Sequence, residues 1–300
     1  MTVHRFAHQA MGTLFEILVA GGEADYAGQA AQAGFAEIDR LDRLFSRFDL
    51  RSEISQINRL RPGGGLLIGI ETYHCLTIGE WARTETGGAF DVNVRGWTNR
   101  KADDAEEDGA EPGAVPQAAF ELIERAAGYE IRRRDGPPGE IPALDLDLGA
   151  IGKGFALDAA LEILKDWDVE NVLLHGGTST ALAAGSAPEY KDKEGGWPVG
   201  VGGGWPCLGV PGEIVLREKA LSGSGTEIKG PHILDPRTGR PARAHVAAWA
   251  VHRLASVSDA LSTAFMIMST DEVEAFCAAH PDVSALAVVD YGKVRVFNWT

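Results

Sequence analysis

The residues best placed to do chemistry lie in one short run, Ser258-Asp259-Ala260-Leu261-Ser262-Thr263. Asp259 and Thr263 are four positions apart, so on a helix their oxygens share one face, with Ser262 beside them. A carboxylate and a hydroxyl are the hard donors taken by Mg²⁺, which keeps several waters and completes its shell with substrate phosphate oxygens. The same run also suits a serine N-cap followed by a helix of small buried residues, and spacing alone leaves both readings open. A second candidate is His232, at the edge of His232-Ile233-Leu234-Asp235-Pro236-Arg237-Thr238-Gly239-Arg240-Pro241. Asp-Pro followed by Thr-Gly makes a β-turn, and a histidine delivered there can act as a general base near neutral pH. The third is Gly149-Ala150-Ile151-Gly152-Lys153-Gly154. A glycine turn between a strand and a helix exposes N–H groups where phosphate binds well, although a plain tight turn would look the same.

Other patterns fail on inspection. The glycine turn is no Walker motif, because Gly154 stands where Ser or Thr is required, and it lacks the GxGxxG order of a dinucleotide turn. Leu221-Ser222-Gly223-Ser224-Gly225 resembles a nucleophile elbow only loosely, since that motif needs glycine at position 222. Cys75, Cys207 and Cys277 are far apart, which argues against a disulfide framework or a structural zinc site. His4 and His8 have helical metal spacing but precede a strand, so they are expected at the surface. His245 and His252 flank another expected strand and are read as structural or solvated.

These groups need elements to hold them. Alternation at 14–19 predicts a strand, and Phe35, Ile38, Leu41 and Phe45 predict a helix over 29–45. Further helices are expected at 72–83, at 117–127, and after the glycine turn, where Leu157, Leu161 and Leu164 form a stripe. Two more are expected at 258–268 and 272–280, the latter behind a capping box of Ser269 and Glu272. Strands are expected at 144–148, 171–174, 213–216 and 246–251, with a closing hairpin of 285–289 and 294–297. Residues 101–113 carry six acidic side chains and no large apolar one, which reads as a solvated loop or insertion. Residues 135–142 read as a turn, and 186–212 are too rich in glycine, proline and tryptophan to be regular throughout. Strands and helices mix without steady βαβ alternation, which predicts an α+β fold.

The chain of 300 residues holds 28 lysines and arginines against 43 aspartates and glutamates, a formal net charge of −15. Such a surface repels polyanions and excludes a nucleic-acid backbone or an anionic lipid surface as the main partner. A phosphate-bearing ligand needs a local cation. No stretch approaches the length of a membrane span, and residues 1–6 show neither a basic segment leading into an apolar run nor a cysteine for a lipid anchor. The expected compartment is therefore cytoplasmic.

In order along the chain, the residues resemble the ApbE family of flavin transferases, which move FMN from FAD onto a threonine or serine hydroxyl of a target protein. The resemblance is carried by Met11-Gly12-Thr13, by Ser46-Arg47-Phe48 with Ser52-Glu53-Ile54 and Asn58, and by Ala89-Phe90-Asp91-Val92. It continues through residues 146–154, Gly176-Gly177, Trp197-Pro198-Val199-Gly200, residues 232–241 and Asp259 to Thr263, so that it spans 11–268.

The resemblance implies one domain over 1–300, an α+β fold of mixed, largely antiparallel sheets flanked by helices, with 101–113 as a loop or insertion. It implies FAD contacts at Met11, Phe48, Ala89, Phe90, Asp91, Asp147 and Lys153. It places Mg²⁺ at the Ala150 carbonyl, Asp259 and Thr263, with Ser262 as an extra ligand, and makes His232 the catalytic residue. FAD is then the substrate, and the partner is an acceptor flavoprotein carrying a Thr or Ser flavinylation site. Members of the family are often exported as lipoproteins. Two stretches depart from the family pattern, Thr178-Ser179-Thr180 after the glycine pair and residues 221–225 before the histidine. Two alternatives use the same residues: an FAD pyrophosphatase with water as acceptor, giving FMN and AMP, or a protein that holds FAD without chemistry. His232, Asp259 and Thr263 argue against a passive holder.

Overall fold

The alternation near the N-terminus builds one side of a large sheet. Strands β1 (Val3–Ala10) and β2 (Thr13–Ala20) pair antiparallel along their full lengths. Their two-residue turn puts Met11 at φ 49° and Gly12 at φ 71°, the left-handed pair whose twist matches that of the flanking strands. Glycine adopts this conformation freely, whereas Met11 is strained in it. Its N–H is held by the Asp42 carboxylate at 2.9 Å.

A computed structural model describes residues 2–96, 117–136, 141–190, 195–202, 210, 212–226, 233–290 and 293–299. The acidic run at 101–113, His232, Cys207 and part of the turn expected at 135–142 lie outside these residues. The main sheet has eight strands in the order β1-β2-β6-β7-β10-β11-β12-β13. Its later members are β6 (Val172–Gly176), β7 (Thr180–Ala184), β10 (Ala220–Gly225), β11 (Ala247–His252), β12 (Ser284–Asp290) and β13 (Lys293–Phe297). Every pairing in it is antiparallel.

The two faces of this sheet are covered differently. Phe15, Ile17 and Val19 turn toward a core shared with α1 (Ala24–Phe45), α4 (Gly152–Asp166) and α5 (Ala255–Ile267). Small residues on α1 and α4, among them Ala30, Gly34, Ala156 and Ala160, let these helices sit close to the sheet and to each other. On the opposite face, Leu173, Ala181, Leu221 and Trp249 pack against Trp197, Val199 and Leu216. Those three belong to a two-stranded sheet of β8 (Trp197–Gly200) and β9 (Glu213–Leu216). A third sheet, in the order β3-β5-β4, is made of β3 (Gly65–Ile68), β4 (Phe120–Arg125) and β5 (Gly128–Arg133). It lies beside α3 (Ile70–Glu85), where Tyr73 stacks on Tyr129 with centroids 4.2 Å apart. Short α2 (Glu53–Ile57) and α6 (Thr270–Ala279) complete the set of named helices. The architecture is thus α+β, with antiparallel sheets flanked by helices. Among the described residues, no helix is long and apolar enough to cross a membrane.

Several expectations change. The helix expected at 117–127 is instead β4, which forms a hairpin with β5 across Ala126 and Ala127. Alanines at both ends make the segment look helical, but Phe120 and Leu122 meet their partners on β5 and non-local pairing overrides local propensity. Residues 144–148 alternate as expected, with Leu144, Leu146 and Leu148 buried, yet they join no sheet. Side-chain amides replace the ladder: Asn58 donates to the Leu146 carbonyl at 3.0 Å and accepts its N–H at 2.7 Å. Asn93 does the same for the Ala143 carbonyl and the Asp145 N–H, at 2.9 and 2.7 Å. His4 and His8 precede the strand expected at 14–19, now β2, and themselves lie on β1, where His8 reaches Asp39 on α1 at 2.7 Å. α5 begins at Ala255, so Ser258 lies inside the helix and does not cap it. The capping box of Ser269 and Glu272 stands as expected.

Candidate active site

α5 is buried along its whole length except at Thr263. A helix apolar or small on nearly every side belongs in the core, so its one partly exposed residue marks where the core opens. One turn back is Asp259, only 4% exposed. A carboxylate buried so deeply needs partners, and three other elements, α4, β7 and β10, supply them. The Lys153 ammonium, on the first turn of α4, lies 3.3 Å from Oδ2 and 3.4 Å from Oδ1, and 3.1 Å from the Gly149 carbonyl. The Gly154 N–H, at the N-terminus of α4, donates to Oδ2 at 3.1 Å. From the sheet, Ser222 donates to Oδ1 at 3.2 Å and Thr180 at 3.5 Å.

Thr180 and Ser222 are cross-strand partners on β7 and β10, with hydroxyls 2.9 Å apart. Two residues further along the same face of β10, the Ser224 hydroxyl lies 2.9 Å from that of Ser262 and 3.3 Å from that of Thr263. The result is a run of hydroxyls between sheet and helix, ending at Thr263. Gly154 has to be glycine, because a Cβ there would stand 2.2 Å from the Ala255 carbonyl oxygen. α4 and α5 therefore touch backbone to backbone just where Asp259 reaches across.

The same crossing carries a second link. Asp158 on α4 accepts from the N–H groups of Ala255 and Ser256, at 2.7 and 2.9 Å, and from the Ser256 hydroxyl at 2.6 Å. Burial outweighs these hydrogen bonds and pushes the Asp158 carboxyl up to about 6.

Asp147 lies on the approach to the glycine turn. Its carboxylate accepts from the Gly149 N–H at 2.9 Å and pairs with Arg47 at 3.1 Å. The Arg47 guanidinium lies 4.2 Å over the ring of Phe48, which is 78% exposed and so open to a planar ligand. Asp91 is half-buried and accepts from the Asn93 N–H at 2.7 Å. Ala89 and Phe90 are buried in the core, which leaves backbone, not side chain, as their means of touching a ligand. Gly177, after β6, has φ 67°, and a Cβ there would stand 2.4 Å from the Thr13 hydroxyl, so the glycine pair is packed against the residue that follows the Met11 turn.

The turn after His232 is well made: Gly239 donates to the Asp235 carbonyl at 2.7 Å, and Arg237 ties the turn to Glu272 at 2.8 Å and to the Ile267 carbonyl at 3.2 Å. His245 and His252 are buried, held against the Phe265 carbonyl and Asp282 respectively.

The donor set fits a hard, oxygen-ligated cation. A buried carboxylate, the Thr263 hydroxyl at the opening, Ser262 beside it and the carbonyls of the turn at 149–150 are all oxygen donors, and the Gly149 oxygen already accepts from an ammonium. Thr180, Ser222, Ser224, Asp158 and Arg47 were not singled out as site residues from the sequence. The sequence signals for the first three are that they fall in the two stretches that depart from the family pattern and that Ser222 and Ser224 lie in the loose nucleophile-elbow match.

This α+β fold has known counterparts. The ApbE family model matches residues 11–287. The chain is 25% identical over 271 residues to the FAD:protein FMN transferase of Treponema pallidum, covering 81% of this chain and 72% of that one. It is 24% identical over 297 residues to the FAD:protein FMN transferase of Salmonella typhimurium, covering 89% and 79%. Against the Rhodobacter capsulatus FAD:protein FMN transferase it is 30% identical over 164 residues, 51% of this chain and 30% of that protein's length. Among solved structures, the ApbE protein of Thermotoga maritima has the same fold, with a TM-score of 0.76 at 23% identity over 99% of this chain and 97% of that one. So does the apo flavinyl transferase ApbE of Pseudomonas stutzeri, with a TM-score of 0.77 at 20% identity over 99% and 95%. The chain belongs to the ApbE family.

Proposed function

We propose that this chain is a transferase that moves the FMN half of FAD onto a threonine or serine hydroxyl of an acceptor protein and releases AMP, with Mg²⁺ as its metal. The observation that carries this reading is the convergence on Asp259 of Lys153, the α4 N-terminus and the hydroxyls of Thr180 and Ser222, in a chain of this family. It sets an ammonium and a helix N-terminus, both groups that attract phosphate, beside a hard oxygen donor in a protein of charge −15.

In this reading FAD lies between Phe48 and the Met11 turn, with Ala89, Phe90, Asp91 and Asp147 along it. Lys153 and the N–H groups at the start of α4 face its phosphates. His232 takes the proton of the incoming hydroxyl as that oxygen bonds to the FMN phosphorus, and the bond from that phosphorus to the bridging oxygen breaks. The electron pair leaves on AMP, and the flavin ends in a phosphoester to the acceptor. Mg²⁺ held by Asp259, Thr263, the Ala150 carbonyl and Ser262 would neutralise charge on the phosphoryl oxygens.

The test is to incubate the protein with FAD, Mg²⁺ and a candidate acceptor, following AMP and protein-bound flavin fluorescence on a denaturing gel. A labelled acceptor with AMP in equal amount is the expected result. AMP with free FMN would make water the acceptor, and intact bound FAD would make the chain a carrier.

A further inference from the structure

The N-terminus of α5 is capped from outside its own chain segment. Its N-cap residue is Leu254, which has no side-chain acceptor, and no local side chain takes the place of one. The first free N–H groups of the helix, on Ala255 and Ser256, are instead accepted by the two oxygens of Asp158, 97 and 98 residues earlier, which also accept from the Ser256 hydroxyl.

Asp158 is one turn after Gly154 on α4, so both face α5. Gly154 donates its N–H to Asp259, one turn after Ala255 on α5. Two helices in backbone contact are thus tied by reciprocal links, the N-terminus of α4 to the side chain of Asp259 and the N-terminus of α5 to the side chain of Asp158. A single link would let α5 slide or turn about its axis. Two links a full turn apart fix both, and with them the placement of Asp259 and Thr263 relative to Lys153.

We propose that Asp158 is the positioning residue for the Asp259–Thr263 pair, acting through the cap it places on α5 and touching neither substrate nor metal. The proposal rests on the flavin-transfer reading for what that pair does, but not for the geometry. Residues that orient metal ligands from behind commonly change metal affinity about 10–100-fold when lost.

The test uses Asp158→Ala and Asp158→Asn in the full chain, at a temperature well below the unfolding midpoint of each. Mn²⁺ binding is read by its EPR signal, FAD binding without metal by flavin fluorescence, and transfer by its Mg²⁺ half-saturation and kcat. Asp158→Ala should raise the Mn²⁺ and Mg²⁺ half-saturation about tenfold or more and lower kcat, with metal-free FAD affinity within about twofold of wild type. Asp158→Asn keeps one acceptor oxygen and should fall between; if the alanine variant does not fold, the asparagine variant carries the test. Metal titrations that superimpose on wild type overturn the proposal. So does an equal loss of metal and FAD binding, which would mark general loosening of the fold. If wild type transfers no flavin, the functional reading fails, while the Mn²⁺ titrations still decide the role of Asp158.

Discussion

At the scale of single residues, two side chains carry most of the weight of the proposed mechanism. His232 is the only proposed proton acceptor, and general-base catalysis is commonly worth about 10²–10⁴-fold. We predict that His232→Ala lowers transfer by that order while FAD binding, read by flavin fluorescence, stays unchanged. Normal turnover in that variant would remove it as the base. Asp259 has a double task, since its carboxylate is both a proposed metal ligand and the counter-charge of Lys153, 3.3 Å away. Asp259→Ala should raise the Mg²⁺ half-saturation of transfer at least about tenfold, and a metal titration matching wild type would take Asp259 out of the ligand set.

At the scale of elements, the α4–α5 crossing holds the site, and two predictions probe it. Gly154→Ala would drive a Cβ to 2.2 Å from the Ala255 carbonyl oxygen, so the helices must separate. Overpacking of this kind costs about 1–3 kcal/mol, read as a lower denaturant midpoint; an unshifted midpoint would mean the crossing yields freely. The second concerns Asp158, whose carboxyl burial pushes up from 3.8 to about 6. Between those values the folded chain binds a proton that the unfolded chain does not. Asp158 therefore favours folding most below pH 4, and that contribution is lost as pH rises through 6, by roughly 3 kcal/mol. Asp158→Asn has no such proton, so its stability relative to wild type should improve from pH 4 to pH 7. A flat difference over that range would contradict the buried, ionisable carboxyl.

At the scale of the whole molecule, charge sets the terms of encounter with FAD. Lys153 is matched by Asp259 and Arg47 by Asp147 among the described residues, so the approaching pyrophosphate meets the field of a protein with charge −15. Added salt screens that repulsion, with a Debye length that falls to about 10 Å at 0.1 M. FAD association at fixed Mg²⁺ should therefore speed up as NaCl rises from about 10 to 150 mM, measured by stopped-flow fluorescence. A rate that falls with salt would show that local cations outweigh the global field.

What the sequence determined by itself was most of what repeats at short range. The alternation of β2, the stripe of α1, the capping box of α6 and the closing β12–β13 hairpin were all legible, because side-chain periodicity is a property of neighbouring residues. The i, i+4 placement of Asp259 and Thr263 was legible for the same reason, and ordered motifs identified the family. Tertiary structure decided whatever depends on distant partners. It made 120–125 a strand through β5, and gave Leu146 a ladder of asparagine amides in place of a neighbouring strand. It also surrounded Asp259 with Thr180, Ser222, Lys153 and Gly154, and capped α5 from 97 residues away. A buried carboxylate or an uncapped helix end requires partners, but no local pattern says which ones; packing alone selects them.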